Sequence, residues 1–268
     1  MKQKKNNKYL KQHFELFLML LKQDIQKKYK GNFIGNYWII ITPLFMLSIY
    51  TFVFGYVFAV RWPGFLSSNI FQFSLVLYCG LAFYNSFNEA ISRAPNNIIE
   101  NVNYVKKAVF PLEILTPILV SSSATNLIIN IILIAIIKSV LISPITFNFL
   151  FILLILFSFL IMLLGLSWIF SAIGVYIRDL NHLVINSVTG LLFLSPIFYP
   201  MSSLPEWLRP FILFNPISIP VEEARKIIIY NEIPDFYILS IYSLSSLFMF
   251  ATGYYFFSKT KKGFSDVI

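Results

Sequence analysis

The chain has 268 residues, of which 57% are hydrophobic, 18% aromatic and only 12% charged, with a mean hydropathy of +0.73. An ordinary soluble domain carries roughly 25% charged residues, so the composition excludes one and points to a polytopic membrane protein. The net charge of +9 would suggest a nucleic-acid partner in a soluble chain; here the positions of the charges assign it to membrane orientation instead. The single cysteine, Cys79, excludes a disulfide framework or cysteine metal cluster and reads as a small buried apolar residue.

Residues 1–8 are polar and lysine-rich and read as a mobile tail. From Tyr9 to Lys30 the apolar residues Leu10, Phe14, Phe17, Leu18, Leu21, Ile25 and Tyr29 recur at spacings of three and four. That period predicts an amphipathic helix lying in the membrane interface, with its lysines near anionic headgroups. The N-terminus lacks the apolar core and cleavage site of a secretory signal, so the first apolar span is expected to remain in the mature protein. Gly31 and Gly35 allow a turn or a close helix approach, and the run from Asn36 to Val60 then carries no charge. Pro43 is positioned to kink that span.

Six stretches approach the ~20 apolar residues that a bilayer crossing requires: 36–60, 70–88, 113–137, 147–175, 182–200 and 236–257. With a cytoplasmic N-terminus, sixteen of the 21 lysines and arginines fall on inner segments and five on outer ones, as the positive-inside rule demands. The predicted architecture is therefore an all-α integral membrane protein with six transmembrane helices, preceded by an interface helix within residues 1–35. The membrane-spanning core covers 36–257, and 258–268 form a cytoplasmic tail.

Two connecting segments have patterns of their own. The cytoplasmic one, ISRAPNNIIENVNYVKKAVFPLEI, sets Arg93, Glu100, Lys106 and Lys107 around Ile98, Ile99, Val102 and Val105. This predicts a short amphipathic helix on the membrane surface or in a partner's groove; a plain connector fits the same pattern. The external one, residues 201–235, mixes Pro205, Pro210, Pro216, Pro220 and Pro234 with short apolar runs. Its pieces, Glu206 to Phe214 and Val221 to Tyr230, read as re-entrant helices before the last span. Irregular backbone at membrane depth is tolerated where protein covers it or where it lines a polar cavity, so the segment reads as the outer mouth of a pathway or as a packed cap.

Several chemistries lack their residues. There is no G-x-x-x-x-G-K-[ST] phosphate loop, no H-E-x-x-H, and His13 and His182 stand in unrelated contexts. No G-x-S-x-G nucleophile turn occurs. Glu222 and Glu223 precede Arg225 and Lys226 and read as a locally compensated charged face. Glu89, Glu113, Lys138, Arg178 and Asp179 all fall at predicted span ends, which disfavours a proton-coupled carrier. The spans are instead rich in aromatics. Tyr37, Tyr50 and Phe54 in the first and Phe193, Phe198 and Tyr199 in the fifth can stack on sugar faces and offer hydroxyls, which makes them candidates for the lining of a glycan channel; packing and interfacial roles are the ordinary alternative.

The run DIQKKYKGNFIGNYWIIITPLFMLSIYTFVFGYVF resembles the first segment of permease subunits of polysaccharide ABC exporters, of the type-2 ABC permease family that moves O-antigen, capsule or teichoic-acid polymers. NVNYVKKAVFPLEILTP, GVYIRDLNHLV and LSPIFYPMSSLPEWLRPFILFNPIS, followed by Arg225, are similar to further blocks of the family in the same order. The resemblance implies a homodimer with two copies of a separate ATPase, located in the bacterial inner membrane with both termini cytoplasmic, and a lipid-linked polysaccharide as substrate. It implies a non-catalytic chain that binds no cofactor, with ATP and magnesium on the partner. It further implies a coupling helix within 95–110, with Asn101, Tyr104, Lys106 and Lys107 as ATPase contacts, and an external gate within 201–235, with Trp207, Phe211 and Phe214 as candidates. Alternatives are an ABC permease for a drug or lipid, a membrane-embedded sugar or acyl transferase, and a structural anchor.

Overall fold

A computed structural model describes residues 2–29, 35–57, 70–106 and 110–267. Among the described residues the chain is helical, with no strand. Helix α1 runs Lys2–Tyr29. It therefore begins within the segment expected to be a mobile tail; no glycine or proline interrupts residues 2–29, and lysine and glutamine are good helix formers. Gly31 lies outside the described residues. Gly35 opens a short turn with φ +56°, a conformation in which a side chain is strained.

Helix α2, Trp38–Tyr50, contains Pro43 and passes directly into a π-helical turn, Thr51–Val57. Thr51 Oγ1 donates to the Leu47 carbonyl at 2.8 Å, and such back-bonding accompanies local departures from ideal helix geometry. Helix α3 is Ile70–Arg93. After two 3₁₀ turns comes the single-turn α4, Val102–Val105. The segment expected as one coupling helix is thus a broken series of turns, because Pro95 and the paired asparagines at 96 and 97 interrupt a regular hydrogen-bond ladder. Helix α5 is Leu115–Leu141 and α6 is Ile152–Tyr176, the latter preceded by a 3₁₀ turn from Phe147.

The fifth predicted span, 182–200, is corrected. Helix α7 covers only Leu180–Phe193, 14 residues, or ~21 Å at 1.5 Å per residue, short of a ~30 Å hydrocarbon core. Pro196 and Pro200 prevent its continuation. Two short helices follow, α8 (Arg209–Leu213) and α9 (Ser218–Ile228), each within two or three residues of the expected pieces. Helix α10, Phe236–Thr260, starts where the Asp235 carboxylate accepts from the Tyr237 and Ile238 amides, a capping arrangement that satisfies otherwise orphaned donors. A 3₁₀ turn leads to the last element, α11, Phe264–Val267.

Among the described residues, three helices are long and apolar enough to cross a membrane: Leu112–Leu141, Phe147–Tyr176 and Phe236–Gly263. Trp38–Phe54 and Leu180–Phe193 are shorter apolar helices. Helix α3 sits at the centre, in contact with α5, α6, α7 and α9. Its Leu75–Tyr84 stretch and its Phe87, Ala90 and Ile91 are buried, and Phe83 meets Phe159 of α6 edge-on at 5.2 Å between ring centroids. Helix α3, which carries Asn88, Glu89 and Arg93 near its end, is therefore inside, and apolar side chains of α2, α5, α6 and α10 face outward. In lipid the sorting follows cost, since polar groups must find protein or water while apolar ones are at home in the hydrocarbon. Helices α6 and α10 cross where Gly165 and Gly253 face one another, so close that a Cβ on either meets the other helix's backbone.

Candidate functional site

One end of the bundle is organised around ion pairs that tie α1 to the central helix α3. Asp24 of α1 accepts two bonds from Arg93 of α3, at 2.7 and 3.3 Å. Lys28 pairs with Glu89 and donates to the Ser122 carbonyl of α5. Glu89 in turn accepts from Asn126 at 3.0 Å. A cavity of about 260 Å³ opens between α1, the turns after α3 and the start of α5, with Asp24, Lys28, Arg93, Glu100 and Asn101 in its wall.

Burial would raise the Asp24 pKa, but hydrogen bonds from Arg93 and Ser122 and the charges of Arg93 and Lys28 more than offset it and hold the carboxyl below its ordinary 3.8. A depressed folded value means that the stabilisation is present above the ordinary pKa and is lost as pH falls through the lower folded one. With fluorescent labels on α1 and α3, we expect the advantage of the wild type over Asp24→Asn to persist from neutral pH to about pH 4 and to vanish below it. An advantage already lost near pH 5 would contradict the assignment.

The turns after α3 are keyed to a second apolar cluster, in which Ile98 meets Leu115, Trp168, Ala172, Val175, Phe257 and Phe264. The C-terminal α11 thereby closes under α6 and α10. Lys261 pairs with Glu113, and the Tyr176 hydroxyl donates to the Thr260 carbonyl at 3.1 Å. Of the expected ATPase contacts, Asn101 donates back to the Asn97 carbonyl at 2.8 Å and Tyr104 stacks on Phe110 at 4.4 Å. Lys106 is exposed, and Lys107 lies outside the described residues.

At the other end, sequence reasoning missed a buried arginine. Arg225 of α9 is only 2% exposed. It donates to the carbonyls of Val76 (3.0 Å), Pro196 (2.5 Å) and Ile197 (2.9 Å) and to the Glu222 carboxylate (2.9 Å). It thereby clips the irregular segment after α7 to the first third of α3. Glu223, also 2% exposed, accepts from Lys226 and from the Asp235 amide. The Glu222/Glu223/Arg225/Lys226 run is compensated as expected, but it is largely an interior network and not a solvated face. Lys138, at the predicted end of a span, is fully buried and donates to the Asn231 side chain at 2.6 Å and to the Pro144 carbonyl. The signal that could have found these residues is their proximity to proline-rich segments, whose carbonyls lack regular partners.

The channel candidates divide. Ring contacts run from Tyr50 to Phe54 (6.4 Å), from Phe54 to Phe198 (6.3 Å) and from Phe198 to Phe193 (6.1 Å). The Tyr199 hydroxyl donates to the Phe193 carbonyl. Five candidates therefore form one aromatic seam between the π-turn after α2 and the end of α7. Tyr37 stands apart, 73% exposed at the opposite end of α2. The gate candidates Trp207, Phe211 and Phe214 all project outward, Phe214 being 88% exposed.

Apolar helices of spanning length around a buried central helix define an integral membrane protein of the helical-bundle class. Residues 15–229 match the family described as ABC-2 type transporter, and the chain belongs to that family. Membership makes it a transport permease in a membrane and implies an ABC ATPase as partner. The chain is similar to an O-antigen export system permease protein RfbA of Klebsiella pneumoniae, with 25% identity across 100% of this chain and 99% of the relative. A protein of the same name from Myxococcus xanthus is 24% identical over 84% of this chain and 85% of its own length.

Proposed function

We propose that the chain is the permease subunit of an ATP-driven exporter that carries a lipid-linked polysaccharide across the bacterial inner membrane. The observation that carries this reading is end-to-end similarity to O-antigen export permeases within one transporter family. Two copies form the conduit and two copies of a separate ATPase supply ATP and magnesium. Each subunit contributes six membrane segments with both termini cytoplasmic, the fifth being the short α7 completed by the chain around Pro196. Helices α8 and α9 are the re-entrant external pieces.

In this reading the aromatic seam from Tyr50 to Phe193 offers apolar faces and hydroxyls to a passing glycan, a surface that holds sugars without fixing them. The turns from Ala94 to Lys106 receive the ATPase and pass its movement to α6 and α10 through the Ile98 cluster. The test is deletion of the chain, complementation with or without the neighbouring ATPase, and measurement of surface polysaccharide. Export is expected to stop on deletion and to return only when both subunits are present; undiminished export after deletion would refute the reading. In the complemented strain, Lys106→Glu with Lys107→Glu is expected to weaken ATPase co-purification by about tenfold.

A further inference from the structure

Between α2, α3 and α5 lies a second cavity, of about 400 Å³, that no part of the coupling segment enters. This is within the ~300–1,000 Å³ of pockets that hold small molecules. Its wall combines Trp38 and Tyr50 from α2 with Asn85 and Glu89 from α3 and Asn126 and Asn130 from α5. Tyr78 backs it, donating to Asn130 at 2.5 Å, while Asn130 donates to the Asn126 carbonyl. The cavity extends from the inner end of the bundle toward its middle, because Trp38 and Glu89 lie near the interface helix and Tyr50, Tyr78 and Asn130 lie further along the spans.

Three features select a ligand class. The wall is built of aromatic faces and carboxamides, the pair of groups that meet the apolar face and the hydroxyl edge of a sugar ring. Its one carboxylate, Glu89, is paired with Lys28 from below and bonded to Asn126, so the cavity presents no uncompensated cation to a phosphate. Asn85 is exposed although Tyr84, Ser86 and Phe87 beside it are buried, and its amide has no hydrogen-bond partner among the described residues. On the cavity wall its carboxamide offers both an acceptor and two donors to the hydroxyl edge of a sugar.

We infer that this cavity is a sugar site, separate from the aromatic seam, that takes a neutral sugar residue of the transported glycan, with Asn85 as the contacting amide and Trp38 as the stacking face. The inference rests on the permease reading above. Asn85 also permits a clean test, because it packs against nothing that its replacement would orphan.

The chain has one native cysteine, Cys79, and it is buried, so in the assembled permease–ATPase complex Asn85→Cys is the accessible thiol of this chain, and its labelling is read on this chain after separation from the ATPase. Its labelling by a small water-soluble methanethiosulfonate is measured with and without delipidated surface polysaccharide of the same bacterium. We expect the polysaccharide to slow labelling at least fivefold, and to leave unchanged the labelling of Ile40→Cys, which lies on the outer face of α2. In cells, Asn85→Leu is expected to cut surface polysaccharide at least fivefold at equal complex abundance, with Asn85→Gln restoring most of it. Equal labelling rates, or full export by Asn85→Leu in a strain whose export depends on this chain, overturns the sugar site and leaves the permease reading standing. Export that survives deletion of the chain removes both.

Discussion

Replacing Arg225 with alanine is expected to destabilise the protein by about 3–5 kcal/mol, the cost of removing one partner from a buried charged network. The guanidinium is the donor for three carbonyls outside α9: Val76 in the first third of α3, and Pro196 and Ile197 in the bend after α7. Without it these acceptors, and the Glu222 carboxylate, remain in a space that water does not readily enter. Lysine keeps the charge but has a point-like head, and one ammonium does not reproduce a planar fork spread over separate carbonyls. Arg225→Lys is therefore expected to fall between alanine and the wild type. Unfolding in detergent, followed by exposure of the Cys79 thiol to a fluorogenic maleimide, reads the effect directly, since Cys79 is fully buried one turn from Val76. If Arg225→Ala melts with the wild type, the bend after α7 is held by something other than this arginine.

The second large effect is expected at Gly174. A Cβ there would overlap the backbone of Pro95, lying 2.6 Å from its Cα and 2.7 Å from its carbonyl carbon, and backbone cannot swing aside as a long side chain does. Pro95 is itself confined, with Ala94 before it and Ile98 after it buried. Gly174→Leu must therefore move the coupling turns away from α6, at a cost of about 1–3 kcal/mol for overpacking. The crossing of α6 and α10 at Gly165 and Gly253 is more than two turns away and should persist. We expect the variant to reach the membrane in normal amount, to lose at least tenfold in ATPase co-purification and to export little polysaccharide. A variant that melts lower yet retains its ATPase would make Gly174 a packing residue alone.

Much of the architecture was legible because membrane helices announce themselves through uninterrupted apolar length, which is why α5, α6 and α10 begin and end near their expected limits. The short α8 and α9 were visible as proline-punctuated pieces, whereas the segment expected as one coupling helix is broken into turns over residues 94–105 by Pro95 and the asparagines after it. Helix α7 was misjudged in length because hydropathy sees Leu194 to Tyr199 as more of the same, whereas Pro196 ends the hydrogen-bond ladder. Tyr50, Phe54, Phe193, Phe198 and Tyr199 were legible as aromatics, but their union in one seam depends on the π-turn after α2 reaching the end of α7. Tyr37 has the same chemistry and stands outside that geometry.

By itself the sequence determined that the chain is a helical membrane protein, roughly where its helices lie, and the family to which it belongs, because these follow from local composition, period and motif order. Tertiary structure alone decided which polar groups are interior. Arg225, Glu223 and Lys138 look like any solvated charge in the string, and Asp24 and Arg93 are separated by 69 positions. Their environment is created by segments far away in the chain, and in a low-dielectric bundle it is the meeting of such segments that turns a charge from a surface ornament into a clip.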